Sequence, residues 1–429
     1  MLTRKTILMM ASLSGCSLSA ALLGGCGGGG NGSGGLSGAT KFSQFTALTA
    51  SSPSTSGGNA EQPLVLPAGY SQTVLASEPQ FPDLSDMNTL SETGPQTELY
   101  RTHEGSSNGA VTATNLASKT TRIVAQRADW ERFDGISWTP WGTLIAAEET
   151  SKSAFPDPAV PEATAGLVYE INPQSGQSTV RPAIGSRAHE GLRFDGEGNL
   201  YGISETSPGY IYKFTSSTKG SLAAGQLYAL KITESKGDRV GAATWIPLDA
   251  AAVRVNSDAA AQAAGATGYN RPEDVECSSS PGTSRGGGNI LYVAVTGPGD
   301  NRVLAIDLKS GGDANKCQVR DYVRVGLNAP ADFEMPDNLT LDPNGNLYVA
   351  EDPGGLFSTG KIKGDDVWFA PRGTASGPAG SISRFATLTD SDAEPTGIYF
   401  DRAGTTLFVS IQHRGGDGLD KTMMIKKTG

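Results

Sequence analysis

Residues 337–353 read DNLTLDPNGNLYVAEDP: an acid, a short apolar run, an Asp-Pro-Asn-Gly turn, a second apolar run and a closing acid pair. Alternating runs of this length around a Gly-bearing turn spell two antiparallel strands. The same pattern recurs as DGISWTPWGTLIAAEET from Asp134, EGLRFDGEGNLYGISET from Glu190, EDVEC and NILYVAVTG after Glu273, and EPTGIYFDRAGTTLFVSIQH from Glu394. A degenerate earlier copy runs from Asp86 to Glu104. Runs such as Gly166–Ile171, Tyr210–Phe214 and Arg302–Asp307 supply further strands, so each unit holds about four. The repeat predicts an all-β fold, a six-bladed β-propeller over residues 61–429. The leading acids lie farther apart than the roughly 40–50 residues of an ordinary propeller repeat. Loop and short helical insertions are therefore required. The candidates are Ser151–Ala165, Glu234–Asn270 (with a helix over Asp258–Ala264) and Ser278–Gly288.

The N-terminus reads differently. Arg4 and Lys5 precede an apolar run that ends in Leu23-Gly24-Gly25-Cys26, followed by GGGGNGSGG. This has the form of a secretory signal over residues 1–25 whose cleavage leaves Cys26 to carry lipid, with Cys16 as a weaker rival. Residues 26–60 then read as a Gly/Ser-rich flexible tether. The expectation is an exported, periplasmic lipoprotein that meets the membrane only through its N-terminal lipid anchor. Loss of residues 1–25 removes two cations and no acid, which carries the net charge from −10 to −12. So acidic a chain is a poor partner for nucleic acid, which demands clustered Lys and Arg. Outside a reducing cytosol, Cys277 and Cys317 are expected to form a disulfide; the alternative is two buried thiols.

The repeated acids carry the chemistry. In a propeller the equivalent ends of inner strands converge on the central channel, so carboxylates at equivalent points face one another. They repel unless a cation sits among them. Oxygen ligands without cysteine or clustered histidine suit Ca²⁺, Mg²⁺ or a hard ferric ion. The candidate ligands are Asp134, Glu149, Glu190, Glu273, Asp337, Glu351 and Glu394. Arg271, two residues before Glu273 and on the same strand face, is placed to bind phosphate or carboxylate through its planar fork, or to salt-bridge a neighbouring acid. His103 and His189 each precede an acid and are expected to orient its carboxylate. Trp138 and Trp141 read as packing of the second unit. Walker A and HExxH motifs are absent, which removes the usual support for P-loop and zincin readings.

At these residues the chain resembles the bacterial alkaline phosphatases of the PhoX type. The resemblance rests on THEG (Thr102–Gly105), TPWGTLIAAEE (Thr139–Glu149), AHEGLRF (Ala188–Phe194), LAAGQLYALK (Leu222–Lys231), GATGYNRPEDVE (Gly265–Glu276) and EPTGIYFDRAGTTLFVSIQH (Glu394–His413). It implies a six-bladed propeller, twin-arginine export, a central cluster of calcium and ferric ions, and hydrolysis of a small phosphorylated substrate at those metals. Carried over by position, Glu190 and Glu273 match metal-binding glutamates and Arg271 the substrate-phosphate arginine, while Glu149 and Glu394 fall where further family acids lie. One departure stands out. The family places an iron-binding cysteine just before TPWGT, and Phe133-Asp134-Gly135 holds none. Asp134 keeps a hard oxygen there, so Ca²⁺ is the expected ion and Fe³⁺ loses its thiolate. Two other functions fit the same pattern: a calcium-binding propeller acting as a surface binding or scaffold module, and a lactonase-like calcium-dependent hydrolase.

Overall fold

Each hairpin is set by its turn. Asp195 Oδ1 accepts the N–H groups of Glu197 and Asn199, both at 2.9 Å, and Asp342 does the same for Asn344 and Asn346 at 2.9 Å. An aspartate that caps its own turn in this way fixes the loop length and so the register of the strands beside it. The structure, a computed structural model, describes residues 42–278, 289–297, 299–352, 364–374, 376–416 and 418–428. All of them belong to one unit, Ser37–Gly429. The signal, Cys26, and nearly all of the Ser/Gly-rich insertion lie outside the described residues.

Strands β1 (Leu64–Val65) and β2 (Tyr70–Ser77) come first in the chain. Then β3 (Ser85–Leu90), β4 (Glu98–His103), β5 (Ala110–Asn115) and β6 (Thr121–Gln126) form an antiparallel sheet in that order. The next sheet is β7 (Phe133–Trp138), β8 (Leu144–Glu148), β9 (Val168–Ile171) and β10 (Ser178–Val180). β11 (Leu192–Phe194), β12 (Leu200–Ile203), β13 (Ile211–Ser216), β14 (Gly225–Ser235) and β15 (Gly241–Pro247) follow. Two short helices, α1 (Ala250–Val255) and α2 (Ser257–Ala263), lead to β16 (Pro272–Cys277), β17 (Ile290–Val295), β18 (Arg302–Asp307) and β19 (Lys316–Arg324). β20 (Pro336–Leu341), β21 (Leu347–Glu351), β22 (Asp366–Ala370) and β23 (Ser383–Leu388) take β1 at their outer edge. β24 (Glu394–Phe400), β25 (Thr406–Gln412) and β26 (Lys421–Lys427) take β2.

The fold is all-β with a propeller arrangement. The first strands β3, β7, β11, β16, β20 and β24 touch one another in a closed cycle around a central cavity. The described strands form five sheets rather than six separate ones, because β15 pairs with β19 and fuses β11 to β19 into one nine-stranded sheet. The added strand comes from the long insertion, which also supplies both helices. Apolar cores fill the space between neighbouring sheets. Trp130, Phe133, Trp138 and Tyr169 pack with Met87 and Tyr100 of the preceding sheet, while Trp141 meets Phe194 of the following one edge-on at 5.5 Å.

Two expectations are corrected. The tether does not extend to residue 60: Phe42 is buried against Tyr70, Tyr348, Phe385 and Phe400. Leu48 and Thr55 make bridges to Arg384 and Asp390. Four aromatic partners repay the ordering of this segment, which composition alone assigns to the linker. Cys277 and Cys317 are buried thiols rather than a disulfide. Cys277 lies on β16 and Cys317 on β19, with β17 and β18 between them. Three strand spacings are about 14 Å, beyond the reach of a disulfide.

Candidate metal centre

One backbone device recurs at the mouth of the cycle. Leu84, Arg132, Arg271 and Met335 each have a left-handed backbone, with φ of 56°, 44°, 46° and 46°. Each stands two residues before an acid: Asp86, Asp134, Glu273 and Asp337. Their carbonyls accept the N–H groups of Glu104, Glu149, Thr296 and Asp352 at 2.9, 2.8, 2.9 and 3.0 Å. The strand pairing then slips at Ser85/Asn88, Phe133/Ile136, Pro272/Val275 and Pro336/Leu339. Each slip is a β-bulge that contains the acid. A bulge re-aims the side chain it carries, and here it turns four carboxylates into the channel. Glu190, just before β11, is the fifth.

The last hairpin departs from this pattern. Its bulge falls at Thr396/Tyr399 and holds Gly397, so Glu394 sits ahead of the equivalent position. A Cβ on Gly397 would lie 2.3 Å from the Asp86 carbonyl oxygen. Two chain backbones meet there, and the ring closes without an acid at that point.

The cavity, roughly 340 Å³, is lined by Asp86, Glu104, Asp134, Glu149, Glu190, Glu205, Glu273, Asp337, Asp352, Asp392 and Glu394, with Arg132, Arg271, Asn338, Thr396 and His413. Asp86, Glu104 and Asp134 bring carboxylate oxygens within 4.8 Å of one another, and Glu190, Glu205 and Glu273 do the same. Burial pushes the carboxyls of Asp86, Asp134, Glu190 and Glu273 well above the usual range, and neighbouring carboxylates push them further. Asp337 is raised to about 8 by burial and by Asp352. Glu149 and Glu394 are raised by burial and by Glu205 and Asp352 respectively. Asp134 Oδ1 and Glu190 Oε2 are buried with no hydrogen-bond donor. Orphaned oxygens among crowded carboxylates are what a hard cation satisfies.

Arg271 reaches into the same space. Its guanidinium meets Glu205 at 2.6 Å, Glu273 at 3.2 Å and Asp352 at 3.5 Å. Burial would lower its pKa, but the carboxylates of Glu273, Glu205 and Asp352 outweigh that and raise it. The side chain stays 32% exposed, so it is both braced and accessible.

Of the residues singled out in the sequence, the cavity gathers Asp134, Glu149, Glu190, Glu273, Asp337, Glu394 and Arg271. Glu351 is not among them. Its carboxylate turns into the sheet and accepts Glu334 N–H at 3.0 Å, Asp366 N–H at 3.1 Å and Trp368 Nε1–H at 2.8 Å. Glu148 behaves alike, taking the N–H groups of Glu131 and Leu167 at 3.0 Å. In each acid pair the first member supports backbone and the second, Glu149 or Asp352, faces the channel. Successive strand residues point to opposite faces.

The same alternation removes the two histidines from the role expected of them. His103 bonds Thr112 Oγ1 at 2.9 Å and the Asp83 carbonyl at 3.3 Å, and burial with Arg101 nearby drops its pKa to about 3. His189 bonds the Gly185 carbonyl at 3.0 Å. Neither touches the carboxylate beside it in sequence among these bonds. Arg132, Asn338 and Asp392 escaped the sequence reading. Arg132 had a usable signal, since it precedes Asp134 by the same two residues that separate Arg271 from Glu273.

The family described as alkaline phosphatase PhoX matches residues 136–315 and 303–415. Pseudomonas fluorescens PhoX, solved with vanadate as a transition state analogue, superposes with a TM-score of 0.65 at 18% identity, covering 90% of this chain and 98% of that one. A Staphylococcus aureus virginiamycin B lyase, solved with quinupristin, has a TM-score of 0.45 at 13% identity over 83% of this chain and 99% of that one. A Xanthomonas campestris gluconolactonase has a TM-score of 0.45 at 12% identity over 89% and 99%. No curated protein matches the chain with significance. The match over residues 136–315 and 303–415, most of the sheet-forming chain, places this protein in the PhoX alkaline phosphatase family.

Proposed function

We propose that this protein is a metal-dependent phosphomonoester hydrolase that works in the central cavity. The observation that carries this is Arg271, held by three carboxylates at the wall of a channel whose other acids leave buried oxygens without donors. Asp86, Glu104 and Asp134 would hold one hard cation and Glu190, Glu205 and Glu273 another, with Asp337 between them in the ring. When bound, such ions polarise phosphoryl oxygens and stabilise their developing charge. Arg271 uses Nε and Nη2 on Glu205, at 2.7 and 2.6 Å, which leaves donors on its fork for a phosphate. In the reaction a water oxygen bonds phosphorus, the ester P–O bond breaks, and the leaving oxygen takes up a proton.

Calcium is our assignment for the ions, because every candidate ligand is a hard oxygen and Asp134 stands where a thiolate would favour iron. We read the nine-stranded sheet as two blades joined through β15, which makes the propeller six-bladed; the closed cycle of six first strands supports this. Export and lipidation at Cys26 are part of the same proposal and rest on the N-terminal sequence.

The test is turnover of p-nitrophenyl phosphate by the purified protein with and without Ca²⁺, alongside metal analysis. Arg271→Gln should lower kcat/KM about 100-fold, in the range of removing one charge-stabilising donor. Asp134→Cys should raise the iron content of the purified protein, and Glu190→Ala should abolish metal binding. A wild-type protein that carries two irons as isolated, or that turns over nothing in saturating Ca²⁺, refutes the reading.

A further inference from the structure

Arg132 and Arg271 hold corresponding places immediately before β7 and β16. Each precedes a bulged acid by two residues, each has a left-handed backbone, and each lines the cavity. What surrounds their side chains differs. Arg271 is enclosed by Glu205, Glu273 and Asp352. The Arg132 side chain is exposed and has no ion pair or hydrogen bond among the described residues. Only its backbone is tied, N–H to the Gly105 carbonyl and carbonyl from Glu149 N–H, both at 2.8 Å. A guanidinium with five donors therefore stands at the wall of an acidic channel with no ion pair among the described residues.

The nearest acid in sequence is occupied elsewhere. Glu131 is buried and accepts from Ser153 Oγ at 2.6 Å, Ala154 N–H at 3.0 Å and Phe155 N–H at 3.1 Å. It thereby ties down the Pro-rich insertion beside Arg132 and leaves the Phe155 ring 46% exposed. A cation and an apolar ring are thus presented by adjoining segments. Left-handed backbone at a bulky residue is strained and persists where surrounding structure enforces it. Here it sets where the guanidinium starts.

We propose that Arg132 binds a second anionic group on the leaving-group side of the substrate, so that the site selects phosphomonoesters that carry another phosphate. Arg271 takes the phosphoryl group under attack, and Arg132 positions the remainder of the molecule. This rests on the phosphoester hydrolase reading above and adds the class of substrate.

The experiment compares adenosine 3′,5′-bisphosphate with adenosine 5′-monophosphate in Ca²⁺-loaded wild type, Arg132→Gln and Arg132→Lys. Wild type should favour the bisphosphate at least tenfold in kcat/KM. Arg132→Gln should cut that preference at least tenfold through KM, and Arg132→Lys, which keeps the charge but not the fork, should recover part of it. A preference that Arg132→Gln leaves unchanged overturns the proposal. Calorimetric binding of inorganic pyrophosphate and orthophosphate gives a readout free of turnover. Pyrophosphate should weaken about tenfold more than orthophosphate in Arg132→Gln, and equal weakening overturns the proposal. Arg132-dependent pyrophosphate binding by a wild type that hydrolyses no phosphoester upholds the anion site and overturns the hydrolase reading alone.

Discussion

Adjacent carboxylates in this protein do opposite work, and Glu351 beside Asp352 makes the contrast measurable. Glu351 holds two backbone N–H groups and an indole N–H inside its sheet, and its removal strands buried donors. Glu351→Ala should therefore cost about 3 kcal/mol or more of stability, seen as a large fall in melting temperature. Asp352→Asn should leave melting nearly unchanged in chelator, while lowering turnover because it loosens Arg271 and alters the channel. Similar melting curves for the two variants would contradict this division. The sequence displays both acids in the same EDP string, and nothing in the string says which one turns inward. The choice is made by strand alternation relative to a bulge, and a bulge has no reliable signature in composition.

At the level of the strand, the bulge works only because neighbouring backbones come very close. A Cβ on Gly135 would lie 1.9 Å from the Glu190 carbonyl oxygen, with backbone rather than a yielding side chain as the obstacle. Gly135→Ala must push β7 away from the chain leading into β11, which separates Asp134 from Glu190. We expect a loss of about 3 kcal/mol together with weakened Ca²⁺ binding, measured by the Ca²⁺ concentration that restores the melting temperature. Wild-type stability and Ca²⁺ response in Gly135→Ala would contradict it. The hairpins themselves were legible, because the Asp-bearing turns at Asp195, Asp342 and Asp401 declare strand pairs directly. Glu394 was legible as a channel acid but misleading in register, since Gly397 holds the equivalent place. Glu104, Glu205 and Asp352 end second strands where the repeat pattern marks acids, yet the gathering of Glu205 and Asp352 around Arg271, and of Glu104 with Asp86 and Asp134, depends on how separate sheets are turned.

Over the whole molecule, the crowded acids bind stability to pH. Asp337 is raised to about 8 in the folded protein against about 4 when unfolded. A folded-state pKa above the unfolded value stabilises fully below about pH 4, and that contribution is lost as pH rises through about 8. In chelator the melting temperature should fall from pH 5 to pH 9, and saturating Ca²⁺ should reverse most of that fall by binding the ionised carboxylates. Calorimetry in both conditions checks it; parallel curves would show that no cation occupies the channel. The order of strands has one more consequence. β1 joins β23 and β2 joins β26, so the N-terminal stretch stitches together two sheets built from the far end of the chain. Pairs such as Tyr70 with Lys427 cannot form on a ribosome that has not yet made β26. During translation every earlier sheet must wait with its ring unshut, and contacts so remote in sequence are slow to find. The final seam is also where an unfinished nascent chain has bare strand edges to offer a chaperone, or another copy of itself.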